Sequence, residues 1–344
     1  MTTTPPRRSW RPALLAWAAL AMGALSPLAQ LHAAAPEAPI TTKATHDLWW
    51  ADFDALERTN NTLRQPGHLT RDDASELEFF RIGLGNVIYM QSPRREPFLR
   101  ELEALTLLWA TQHPGSAFAH ILHAKVLVAH AWSYRGTGYV KDVPPLAWKD
   151  FNEYLERAVE YLHAHADVAM SDSSAHLLLL TIGNALGWDD AKMRMLLRDG
   201  LNRNPQDVML YFDMTTHMLP KWGGSPVKLD KYIREVAQAT KATYGLGMYA
   251  RLYSVAADEQ FGEALFADSA ADWPTMRQGY EDMMTRFPDS PTRLNRYAHM
   301  ACLAKDKPTL QRLLDQLGPA LDATHWGSNP ERSLETCQRW AQQT

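Results

Sequence analysis

Phe-Asn-Glu-Tyr-Leu-Glu-Arg-Ala-Val-Glu-Tyr-Leu-His, residues 151–163, decides the fold class. Phe151, Tyr154, Leu155, Ala158, Val159 and Leu162 recur at i, i+3, i+4, i+7, i+8 and i+11, one apolar stripe on a helix of 3.6 residues per turn. Glu153 and Arg157 lie four apart on the wet side and are expected to pair there. From about residue 44 onward the same periodicity continues nearly throughout. Short apolar runs such as Leu177–Leu180 have no hairpin signals beside them and therefore read as buried helix.

The punctuation between stripes repeats as well. Pro114, Pro205 and Pro288 stand just before new amphipathic stretches, in His-Pro-Gly-Ser, Asn-Pro-Gln-Asp and Phe-Pro-Asp-Ser, and Asp172-Ser173-Ser174 offers a similar start. Proline suits a helix entrance because its missing N–H would have no partner there, and Asp or Ser can cap the free donors. Asp172 and Pro205 are 33 residues apart, close to the tetratricopeptide period of about 34. Pro205 to Pro288 is 83 residues, about two longer units, with another start near Thr243–Gly247. The expectation is an all-α, irregular tetratricopeptide-like solenoid of helical hairpins over residues 110–341, preceded by a helical region at 44–109. Stacked hairpins bury one face on their neighbours and leave a curved surface for a partner.

Two places break the rhythm: residues 133–147, a connection longer than the 2–8 residues usual between packed helices, and the corner at 219–226, Leu-Pro-Lys-Trp-Gly-Gly-Ser-Pro. Each joins glycines to a tryptophan and a cation. Trp132, Arg135 and Tyr139 in the first, with Lys221 and Trp222 in the second, are the candidate binding residues, since a cation beside aromatic faces can hold a carboxylate or a peptide. The competing interpretation is that the glycines permit tight turns and the tryptophans plug hairpin junctions.

At these corners the sequence resembles an uncharacterised bacterial family, a domain of unknown function with a tetratricopeptide-like helical fold. The similar stretches are 129–139 (Ala-His-Ala-Trp-Ser-Tyr-Arg-Gly-Thr-Gly-Tyr), 219–225, Tyr-Ala-Arg-Leu-Tyr at 249–253 and Tyr-Ala-His-Met-Ala-Cys-Leu-Ala-Lys-Asp at 297–306. The resemblance implies helical hairpins over roughly 110–340. It brings no reaction and no catalytic residues.

The N-terminal 33 residues read as a cleaved secretory signal. Arg7, Arg8 and Arg11 form the positive region, Ala13–Leu25 carries no charge, and Ala33, Ala34 and Ala35 supply small residues for cleavage, here placed after Ala33. Thirteen residues of helix span roughly 20 Å, short of the ~30 Å hydrocarbon core. The expected location is therefore periplasmic or secreted. Losing this segment removes three positive charges and no acids, taking the net charge from −4 to −7. Such a chain has no broad footprint for nucleic acid or anionic lipid. In that compartment Cys302 and Cys337, each on an apolar helix face, are expected to form one disulfide.

Other chemistry is thinly signalled. His120, His123 and His130 share a stripe, but His123 and His130 are about 10.5 Å apart along a helix axis, too far for one metal; packed or solvated histidine is expected. Arg194 and Arg198, a four-residue pair, read as solvated surface. There is no Gly-x-Ser-x-Gly elbow, His-Glu-x-x-His, Walker loop or dinucleotide glycine fingerprint, so no cofactor or metal is expected. The leading expectation is a scaffold for a protein or peptide partner. The alternatives are a cell-envelope enzyme with an aromatic-lined cleft, which requires titratable groups converging in space, and a small-ligand carrier.

Overall fold

The computed structural model describes residues 39–343 apart from 71, 73, 92, 93, 137 and 139. The expected signal segment and Tyr139 lie outside the described residues. Among them the fold is all-α, and extended pairing is confined to an isolated bridge between Leu69 and Ser75. No helix among the described residues is long and apolar enough to cross a membrane.

Among the described residues fifteen helices of ten or more residues carry the fold. The first five are α1 (Pro39–Trp49), α2 (Phe53–Leu63), α3 (Glu76–Ile88), α4 (Arg95–Gln112) and α5 (Ala117–Arg135). Next come α6 (Ala147–Ala164), α7 (Ser173–Leu186), α8 (Asp190–Arg203), α9 (Met209–Met218) and α10 (Pro226–Ala239). The last are α11 (Gly247–Ala256), α12 (Trp273–Arg286), α13 (Pro291–Leu303), α14 (Lys307–Leu317) and α15 (Pro330–Gln342). Much of the extensive packing is between sequence neighbours, α4 on α5, α5 on α6, α7 on α8, α11 on α12 and α13 on α14, while α1 packs on α3 and α7 on α9 across one intervening helix.

The stripe at 151–162 lies on α6 as its period requires. Phe151, Leu155, Ala158 and Leu162 are buried, and each large apolar side chain so removed from water contributes about 1.5–3 kcal/mol. Arg157 does not pair with Glu153. It reaches across to Glu103 on α4 and lies over the Tyr154 ring, because the neighbouring helix offers a carboxylate in a drier setting. Arg194 likewise meets Glu235, at 2.9 Å. Fourteen of the nineteen residues of α5 are buried, so this helix is covered on nearly every side.

The expected helix entrances are present. Ser116 accepts from the Ala119 N–H, Asp172 from Ser174 and Ser290 from Arg293, while Asp207 accepts from the Met209 N–H. Cys302 and Cys337 form the disulfide, tying α13 to α15.

The N-terminal segment runs past several of these entrances. Ser116 donates to Glu57. Asn60 donates to Asp172 at 2.9 Å, and Arg64 pairs with the same carboxylate at 3.3 Å. Farther along, Asp72 accepts from Ser290 and Thr292, and Arg293 donates to the Asp72 carbonyl oxygen at 2.7 and 3.1 Å. Residues more than two hundred positions apart are thereby fastened together by a polar clamp.

Candidate functional site

The first corner brings two of its expected residues together. At the end of α5 the Arg135 guanidinium lies 5.0 Å from the Trp132 ring, 5.4 Å from Trp148 and 5.9 Å from Phe151. Its Nη1 donates to the carbonyl oxygens of Gly136 and Gly138, which fastens the start of the loop. Partial burial lowers its pKa. Among the described residues no carboxylate pairs with it. The loop that follows is held by buried Val143 but exposes Val140 (66%) and Leu146 (86%).

The second corner is engaged internally. Lys221 donates through Nζ to Glu259 Oε2 at 2.6 Å and to the Glu259 carbonyl oxygen at 2.8 Å. Trp222 packs against the C-terminal apolar core, whereas Trp132 packs against the cluster around α5 and α6. Gly224 explains the Trp-Gly-Gly signature: a Cβ there would lie 1.9 Å from the Met218 carbonyl oxygen. The structure therefore joins Trp132 to Arg135 and Lys221 to Trp222, but seats the two groups in different cores.

The histidines of α5 are buried and partnered. His120 meets the Tyr161 hydroxyl and the Pro114 carbonyl oxygen at 2.9 and 3.1 Å and stacks on His165. His123 meets Thr106 at 3.1 Å, and burial pulls its pKa down to about 4. His130 lies between Glu96 and Glu103, at 2.8 and 3.3 Å. These contacts fix how α4, α5 and α6 register. Among the described residues no group of three or more His, Cys, Asp or Glu side chains could hold a metal ion.

A pocket of about 260 Å³ opens between α12, α13 and α14. Its charges satisfy one another, since Glu281 accepts from Tyr297 and from Arg312 (2.9 Å).

A further cluster has no counterpart among the sequence motifs. Arg81 is the sole charged residue in the apolar run Phe79–Ile88 of α3, Lys125 the sole one between Ala117 and Tyr134 of α5, and Asp213 the sole one in α9. The three converge. Arg81 donates to Asp207 at 2.7 Å, to Ser173 at 3.0 Å and to Ser174 at 3.1 Å, which anchors α3 on the starts of α7 and α9. Its Nη1 faces Glu78 at 3.5 Å and is buried without a hydrogen bond. Burial works against the charge on Arg81, but Asp207 and Glu78 hold its pKa above the ordinary value. Asp207 is likewise opposed by burial and kept low by Arg81.

Lys125 and Asp213 are half-buried beside this pair. The Lys125 ammonium has a single long bond, 3.5 Å, to the Arg81 carbonyl oxygen, and no described carboxylate lies within 4.0 Å of it. Burial pulls its pKa down to about 8, helped by Arg81 and resisted by Glu78 and Asp213. For Asp213, burial and then the like charge of Glu78 push the pKa up to about 7. A lone charge inside an apolar run on each of three helices was the available sequence signal. Charge is expensive to bury, and perturbed groups of this kind mark functional sites.

Comparison of the chain with protein-family models, with curated proteins and with solved structures finds no match.

Proposed function

We propose that this chain is an exported scaffold of tetratricopeptide-like helical hairpins that binds a protein or peptide partner at the Trp132–Arg135 corner. The observation that carries the reading is the Arg135 guanidinium, spread over three aromatic rings and lacking a carboxylate partner among the described residues. A planar guanidinium presents paired donors that match a carboxylate, and stacking holds it ready to bind one. Exposed Val140 and Leu146 offer apolar contact next to that charge. Lys221, paired to Glu259, and Trp222, packed in the other core, are left out of this surface. The disulfide is compatible with an oxidising compartment, and the packing of helices on their sequence neighbours supports the repeat architecture.

The test is capture from an envelope extract by the wild-type chain, Arg135→Ala and Leu146→Asp, both changes being on exposed or half-exposed positions. A partner held by the wild type and lost from both variants supports the reading, while equal recovery from all three refutes it. Cell fractionation with N-terminal sequencing tests export; an envelope form beginning at residue 34 is expected.

A further inference from the structure

We infer that the cluster of Arg81 on α3, Lys125 on α5 and Asp213 on α9 is a second site, in which the Lys125 amine bonds to the carbonyl carbon of a small oxo acid. This goes beyond partner binding and does not depend on it.

Three features of the geometry carry the inference. Lys125 is half-buried, not sealed, and its ammonium lacks the ion pair that normally accompanies a lysine taken from water. Arg81, whose carbonyl oxygen accepts the one bond from Lys125, has a terminal nitrogen, Nη1, that faces Glu78 at 3.5 Å and makes no hydrogen bond, although the side chain is more than nine-tenths buried. Asp213 comes from the opposite helix with no hydrogen bond or ion pair among the described residues. An amine, an unsatisfied guanidinium nitrogen and an unengaged carboxyl thus meet where structural pairing is already complete elsewhere, at Arg81–Asp207.

Each group suits one part of an oxo acid. A lysine kept partly neutral is a nucleophile toward carbonyl carbon. Arg81 Nη1, which faces Glu78 at 3.5 Å without a hydrogen bond, would donate one to the acid's carboxylate, a charge-assisted bond. In the step itself the Lys125 nitrogen bonds to the carbonyl carbon, and the carbon–oxygen bond breaks. Asp213, holding a proton, gives it through a water to the carbonyl oxygen as the new bond forms and recovers one from the nitrogen, then repeats the exchange as that oxygen leaves, so that both amine protons end on the departing water. The products are an imine and one water, so protons and electrons balance without an oxidant. The low Lys125 pKa and the high Asp213 pKa agree with those two roles near neutrality.

The experiment treats the intact protein with glyoxylate and cyanoborohydride at about pH 7.5, where the hydride donor reduces any imine to a stable amine, and maps the modified lysines by peptide mass spectrometry. A lysine held near 8 has far more neutral amine than one at 10.5; restricted access leaves an expected advantage of about tenfold. Lys125 should therefore be modified about tenfold faster than exposed Lys149 or Lys241, and faster by glyoxylate than by its neutral amide. Modification at Lys125 should vanish in a folded Lys125→Arg variant. Labelling of Lys125 no faster than of the exposed lysines overturns the site, and equal rates with the acid and its amide overturn the oxo-acid assignment. Peptide mapping of the wild type alone decides both, so the inference stays testable even if Lys125→Arg does not fold.

Discussion

Asp213→Asn isolates the energetic consequence of burying a carboxyl beside Glu78, Arg81 and Lys125. Burial, followed by Glu78, holds the Asp213 pKa near 7 in the folded chain instead of 3.8. Between those two values the native state binds more protons than the unfolded state, so stability is full below about pH 4 and falls as the pH rises to about 7. Asparagine keeps the shape and the hydrogen-bonding capacity but has no proton to lose. Three pH units correspond to about 4 kcal/mol, a ceiling, since a carboxyl that still meets water relaxes part of the strain. The variant should therefore exceed the wild type by about 1–4 kcal/mol at pH 7.5 and match it near pH 4. Urea unfolding followed by tryptophan fluorescence, repeated across that range, measures the difference. Parallel stability curves for the two proteins, or a less stable variant at pH 7.5, would refute the reasoning, because Asp213 would then be an ordinary ionised carboxylate.

Replacing Cys302 and Cys337 with serine should cost about 4 kcal/mol, the chain-entropy value for releasing a crosslink across 35 residues, and the urea midpoint with and without reductant checks it. Asp72→Ala removes the acceptor for Ser290 and Thr292 but leaves the carbonyl contact with Arg293. The expected loss is about 1–2 kcal/mol, with faster amide exchange at 290–293, and unchanged exchange there would mean the clamp carries no load. Gly224→Ala drives a methyl group into the Met218 carbonyl and should cost about 3 kcal/mol, seen as a lower thermal midpoint and altered near-ultraviolet dichroism from Trp222.

The stripe at 151–162, the caps at Ser116, Asp172 and Ser290, and the Cys302–Cys337 bridge were all legible in the sequence. Helical period and cap chemistry act over a few residues, so their causes lie within the stretch being read. The Glu153–Arg157 expectation failed for the complementary reason. Spacing shows that two charges can meet along a helix, but not that Glu103 on the adjacent helix offers Arg157 a better partner. The first corner reads in the sequence as a cation beside aromatics, whereas Trp148 and Phe151, which complete the stack, come from α6 and lay outside that reading.

By itself the sequence determined an all-α chain, where many of its helices begin, and two thiols on apolar faces. Tertiary structure alone decided that Arg81 meets Asp207 across 126 positions, that Lys125 and Asp213 feel one another's charge, and that Asp72 closes on Ser290. Local patterning specifies what a helix must bury and leaves the identity of the covering surface open. That choice is made when whole faces pack, and only then do solitary charges on distant helices acquire neighbours that shift their protons and define a site.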